Sequence, residues 1–304
     1  MEISELTVGC KASFSASELD DACALVREAS WNQVPADWAI FLAHGQVHAV
    51  QTATGRIVAT TATLPYAAAS LPRAPARAEA GFAWISMVLV AGPYRRRGLA
   101  TQLMRRAMDD LAGRSLVAVL DATPEGRAVY RALGFHDCWG FHRLLRRERS
   151  AVAPPAVPAA GATVRPLRDG DWRALCDYDA RAFGAARTQV LGRLRGRLPS
   201  AELVAERDGR LIGFLLGRDG RVAAQLGPLI AEDDTVACAL MAHALGLFAG
   251  PLFTDVADAK TALNDFLAAC GFIPVRPLTR MLHGRSTRFD DAARTYAVIG
   301  PEFG

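Results

Sequence analysis

Residues 84–104 read WISMVLVAGPYRRRGLATQLM: an apolar run, a basic turn and the start of a second apolar pattern. The run Trp84–Val90 carries no charge and has the length of a buried strand. After the turn, Leu99, Leu103, Ala107 and Leu111 recur at helical spacing, with Arg105, Arg106, Asp109 and Asp110 mostly on other faces. Three arginines and a glycine therefore sit where a strand hands over to a helix. The first N–H groups of a helix lack intrahelical partners, and the helix dipole puts partial positive charge there. A glycine at that point lets an anion reach the backbone. The junction reads as a site for a phosphate or pyrophosphate.

Composition bounds the rest. The 304-residue chain is long enough for two domains, and 51% of it is hydrophobic, which supplies an ample core. A net charge of +4 is mild, and the basic residues are dispersed apart from the turn and Arg143–Arg149, so nucleic acid is not an expected partner. No stretch approaches about 18 uninterrupted apolar residues, and MEISELTVGCKAS is not a signal peptide. A cytoplasmic protein without membrane association is expected. Cys10, Cys23, Cys138, Cys176, Cys238 and Cys270 form no C-x-x-C pair and have no histidine at ligand spacing. No metal site is expected, and most of the six thiols are expected to be buried, Cys238 and Cys270 among them.

The stretch VLVAGPYRRRGLATQLM resembles the acetyl-CoA signature of the GNAT superfamily of N-acetyltransferases. The core pattern, Gln/Arg-x-x-Gly-x-Gly/Ala, is met by Arg95, Gly98 and Ala100. At the family's spacing there follow a second apolar strand (Ser115–Leu120), a short helix carrying Tyr130, and Gly134-Phe135. The resemblance covers roughly residues 45 to 145 well and the remainder by architecture. It implies an α/β fold with a mixed sheet and an acyltransferase with acetyl-CoA as co-substrate and no metal. Arg95, Arg96, Arg97, Gly98, Leu99, Ala100 and Thr101 would hold the pyrophosphate, with one or two of the arginines facing solvent. Backbone at Val88, Leu89 and Val90 would receive the pantetheine arm and the thioester carbonyl. Tyr130 would be the general acid for the leaving thiolate, since a phenol with a reference pKa of about 10 is protonated at neutral pH.

The resemblance is less complete at the base and the acceptor pocket. Many members carry a glutamate on the fourth strand, but Phe82–Met87 contains no carboxylate. Glu79, just upstream, is the candidate base, acting directly or through water, with a water chain as the alternative. Trp31, Asn32 and Trp38 fall where the family's first helices cover the acceptor. They serve either a small-amine pocket or plain packing.

The chain is written twice. Residues 151–162 (AVAPPAVPAAGA) form an uncharged Pro/Ala-rich linker between a domain over 1–150 and another over 163–304. Shifted by 137 residues, 100–145 meets 237–282 with 14 identities in 46 positions, including Leu103/Leu240, Met104/Met241, Asp121/Asp258, Gly134/Gly271 and Arg143/Arg280. In this register RRRGLA faces Glu232-Asp233-Asp234-Thr235-Val236-Ala237, which should repel a pyrophosphate, and Tyr130 faces Leu267. The second copy therefore reads as degenerate. Recurrence of Arg143 and Asp121 in it assigns both to the scaffold, with Asp121 expected to cap the helix that begins near Pro124. The first copy carries about 17 extra residues around Pro65–Glu79 and closes on a strand near Phe141–Arg146, and the stretch after Arg285 shows no pattern.

The arrangement resembles the two-domain bacterial branch of the superfamily. It implies an acetyl-CoA-dependent N-acetyltransferase for a primary amine, a small molecule or amino acid, working as a monomer or homodimer. Two alternatives stay open: a non-catalytic acyl-CoA sensor, which the missing strand carboxylate favours, and a protein or peptide N-acetyltransferase whose second domain docks the target.

Overall fold

A computed structural model describes residues 6–66, 81–148 and 161–304. Glu79, most of the 151–162 linker and most of the segment around 65–79 lie outside these described residues. The chain divides into two compact units. One holds 6–66, 81–120 and 220–222; the other holds 121–148, 161–219 and 223–304.

The first unit runs β1 (Thr7–Lys11), α1 (Ala16–Glu28), α2 (Pro35–His44), β2 (Gln46–Gln51), β3 (Ile57–Tyr66), β4 (Phe82–Val90), α3 (Leu99–Gly113) and β5 (Val117–Ala122), the last two residues of β5 belonging to the second unit. The strands lie in sequence order, antiparallel as far as β4, with β4 and β5 parallel. β3 (IVATTATLPY) is buried along almost its whole length, as a strand covered on both faces must be. Ser15 caps α1 through a reciprocal box with Glu18. The stripe Leu99, Leu103, Met104, Ala107 and Leu111 turns α3 onto β2, β3 and β4.

The second unit contains α4 (Pro124–Ala132), β6 (Phe135–Arg146), β7 (Thr163–Pro166), α5 (Trp172–Phe183), α6 (Thr188–Leu194), β8 (Leu203–Arg207), β9 (Arg210–Arg218), β10 (Ala224–Ala231), α7 (Asp234–Leu247), β11 (Leu252–Ala257), α8 (Thr261–Ala269), β12 (Ile273–His283) and β13 (Thr295–Val298). Its strand order is β12-β6-β11-β13-β10-β9-β8-β7. One core there joins Leu229, Val236, Leu240, Met241, Ala244, Val256 and Leu263 between sheet and helices.

The 137-residue register reappears in the packing. Leu99, Leu103, Met104 and Ala107 are buried on α3; Val236, Leu240, Met241 and Ala244 are buried on α7. α4 and α8 are both nine residues long, and each is followed by a glycine with positive φ, Gly134 at 88° and Gly271 at 85°.

Four expectations change. The closing strand expected over Phe141–Arg146 begins at Phe135, and it pairs with β11 and β12, both from the second copy. The patternless stretch after Arg285 contains β13. Asp121 does not cap α4: Thr123 is the N-cap, its side chain accepting from Gly126 N. Asp121 instead accepts two bonds of 2.9 Å from buried Arg280, while Arg143 makes the matching pair with Asp255. Burial of the thiols is narrower than expected: Cys238 and Cys270 are buried, Cys10 is exposed and the other three are intermediate.

Candidate active site

The basic turn and the start of α3 depart from regular backbone. Arg96 (φ 58°) and Gly98 (φ 80°) both adopt left-handed conformations, and Gly98 is the N-cap of α3. A glycine N-cap has no side chain to satisfy the helix end, and none does so here. The first intrahelical bond runs from Gln102 N to Gly98 O at 2.9 Å, so the N–H groups of Leu99, Ala100 and Thr101 precede it. Open space surrounds the position a Gly98 Cβ would take.

In the second copy the same helix starts two residues earlier in the shared register. Its N-cap is Asp233, whose carboxylate accepts from Val236 N at 2.9 Å. There the helix end is satisfied by an anion of the chain itself. In the first copy two residues, Arg97 and Gly98, are unwound from the helix, and the N-cap offers its first donors no side-chain acceptor.

The three arginines have different surroundings. Arg95 folds back: Nε donates to Val90 O and Nη2 to Glu28 Oε1, both at 2.9 Å, while Glu28 Oε1 also accepts from Gly92 N at 2.7 Å. Arg95 thus fastens the turn to α1 and to the end of β4. Arg97 lies over the Tyr94 ring, 5.6 Å from its centroid, and Arg96 is exposed. All three side chains are exposed, where one or two were expected to face solvent. The bond from Arg95 back to α1 could not be read from the sequence, because Glu28 stands 67 residues away.

β4 is irregular over its second half. Its register with β5 covers only Phe82↔Val117, Ala83↔Ala118 and Trp84↔Val119. Beyond this, Met87 has φ 53°, the β3–β4 register shifts, and Thr60 Oγ1 donates to Met87 O at 2.8 Å. Val88 and Val90 are half-buried and Leu89 is buried in the part of β4 that has left β5.

Tyr130 lies on α4 in the second unit, half-buried. Its ring packs against Phe135 (centroids 6.1 Å, 62°) and over Gly126, where a Cβ would come within 2.9 Å of Cε2. Burial raises its pKa above the ordinary phenol value, so its proton is held more firmly.

The expected acceptor residues are placed unevenly. Trp38 is fully buried between Phe14 and Phe41, a packing position. Asn32 is 2% exposed, and its Oδ1 accepts from Val222 N at 2.8 Å. Trp31 O accepts from Arg221 Nε at 2.9 Å, so the Trp31-Asn32 pair clamps the 220–222 turn. Among the described residues no group of three or more His, Cys, Asp or Glu is placed to hold a metal ion, and no helix is long and apolar enough to cross a membrane.

Comparison with known proteins gives two family matches. A model described as "Acetyltransferase (GNAT) family" matches residues 17–135, and one described as "Acetyltransferase (GNAT) domain" matches 175–297. The uncharacterized N-acetyltransferase YitH of Bacillus subtilis is 27% identical over 188 residues, covering 62% of this chain and 65% of YitH. The chain spans less than two thirds of the length of the curated relatives it matches. Among solved structures, a putative acetyltransferase from Pyrococcus horikoshii has a TM-score of 0.73 at 19% identity, over 100% of this chain and 98% of the other. A tandem GNAT protein from the clavulanic acid biosynthesis pathway has a TM-score of 0.64 at 18% identity, over 91% and 98%. With a GNAT match in each half and a likeness in fold along its length, the chain belongs to the GNAT acetyltransferase superfamily, as a tandem duplication of that fold.

Proposed function

We propose that the chain is an acetyl-CoA-dependent N-acetyltransferase for a primary amine, with the working domain over residues 1–150 and a domain without that chemistry over 163–304. The observation that carries the reading is the unwound start of α3: a glycine N-cap without a side-chain cap, two left-handed residues and three unused helix donors. Arg96–Thr101 would hold the pyrophosphate through these N–H groups and the arginine charge, with Arg95 shaping the turn rather than contacting phosphate. The β4 backbone over Val88–Val90 would take the pantetheine arm. Bound acetyl-CoA supplies the activated acetyl group.

Tyr130 holds a proton at Oη for the departing thiolate, and its raised pKa keeps that proton in place across the neutral range. The incoming amine must lose its own proton, to Glu79 or to water. The acceptor is a small molecule or amino acid. Trp38 drops out of its pocket, and Trp31 and Asn32 bear on it through the turn they hold. The protein works as a monomer or homodimer.

A thiol-release assay against a panel of amines tests the reading. Tyr130→Phe should lower kcat about 10²-fold with little change in acetyl-CoA affinity. Acetyl-CoA binding without amine-dependent thiol release in either protein would instead favour a sensor, which the carboxylate-free Phe82–Met87 stretch suits.

A further inference from the structure

The second copy repeats the splayed strand pair of the first. Its parallel register runs Ala224↔Leu252, Gln225↔Phe253 and Leu226↔Thr254, again three pairs, and β10 is then irregular between Leu226 and Leu229. Beyond this point the gap is filled. β13 lies antiparallel to both walls, pairing Leu229↔Ala297 and Ile230↔Thr295 with β10, and Asp255↔Val298 and Val256↔Ala297 with β11. Gly227 (φ 146°) makes room for it, since a Cβ there would come within 2.0 Å of Val298 O.

The segment is fastened along its length. Lys260 Nζ donates to Ala293 O at 2.5 Å and lies 3.7 Å from the centroid of the Tyr296 ring. The Tyr296 hydroxyl donates to Asp234 Oδ1 at 2.7 Å, in the first turn of α7. Glu302 pairs with Arg218 in full burial, and Arg187 Nη1 donates to Gly304 O at 2.6 Å. Thr295–Ile299 are buried throughout.

We propose that Thr295–Val298 is the resident occupant of the acyl-CoA slot of the second domain. It takes the place of a pantetheine arm between β10 and β11, and Tyr296 reaches the helix end where a pyrophosphate would lie. The inference rests on reading the first domain as an acyl-CoA site, because the corresponding gap between β4 and β5 defines the slot. It separates two causes of degeneracy. The acidic turn Glu232-Asp233-Asp234 repels phosphate, and independently the slot is closed by peptide that pairs with both walls. The second domain is then an anchor for residues 293–304 and takes one acyl-CoA fewer than its fold suggests.

Hydrogen exchange of the full chain tests this, with and without saturating acetyl-CoA. Amides of 295–298 that bond into the sheet should exchange about 10⁴-fold more slowly than in an unstructured chain, and the ligand should not speed them. Tyr296→Phe, which keeps the ring and removes the bond to Asp234, should speed them about tenfold. Acceleration by acetyl-CoA would overturn the proposal, since the segment would then be a gate that the ligand displaces. Fast exchange without ligand, or no response to Tyr296→Phe, would also overturn it. Absence of any acetyl-CoA binding would sink the proposed function while leaving the protection of 295–298 as a separate result.

Discussion

Arg95 donates to Glu28 Oε1 at 2.9 Å, and the same oxygen accepts from Gly92 N, so the first arginine of the turn is engaged within the protein. Both side chains are about half exposed, and such a pair contributes roughly 0–1 kcal/mol. Arg95→Gln should therefore weaken acetyl-CoA binding only about two- to threefold. Arg97→Gln should cost about tenfold, the loss of one charge-assisted phosphate bond. Calorimetric titration of the two variants ranks them; the reverse order would show that Arg95 leaves Glu28 when ligand binds.

Gly98 has a left-handed φ of 80° with open space around the missing side chain. Gly98→Ala should then cost about 1 kcal/mol through backbone strain alone, read in a denaturant midpoint. Its effect on acetyl-CoA affinity should be larger, about tenfold or more, because the added methyl would stand in the path of the proposed phosphate contact at the helix end.

Trp38 packs fully buried against Phe14 and Phe41. Trp38→Ala should destabilise the protein by about 3–5 kcal/mol. Trp38→Phe, which retains most of the buried area, should leave KM for the amine unchanged. A raised KM with unaltered stability in Trp38→Phe would restore the residue to the acceptor pocket.

His48 is 1% exposed on β2, and its pKa is lowered first by burial, against the pull of Asp110 Oδ2 at 3.0 Å. A histidine depressed in the folded state binds fewer protons there than in the unfolded chain. Stability should be full above the ordinary value near 6.5 and fall progressively as pH drops below it, levelling off under the folded-state value. His48→Gln should flatten that part of the curve, measured as denaturant midpoints between pH 7.5 and about 5.

What was legible in the chain follows from range. The strand–turn–helix at 84–104 and the 137-residue repeat rest on local periodicity and survive intact in the packing of α3 and α7. The helix starts differ because Asp233 can cap itself and Gly98 cannot, a consequence of composition that the gapless register concealed. β13 was invisible for a different reason. Four residues, TYAV, carry no period, and their strand character comes from walls supplied by Leu229–Ile230 and Asp255–Val256 far upstream. Asp121 illustrates the same limit: a carboxylate before a helix proline reads as a cap, yet Arg280, 159 residues away, claims it.

The most direct test of the account is the stoichiometry of acetyl-CoA in an isothermal titration of the intact chain. One site per chain, abolished in Arg97→Glu/Gly98→Glu, is the expected result. Two sites, or a single site that survives the double substitution, would place the cofactor elsewhere and contradict the account.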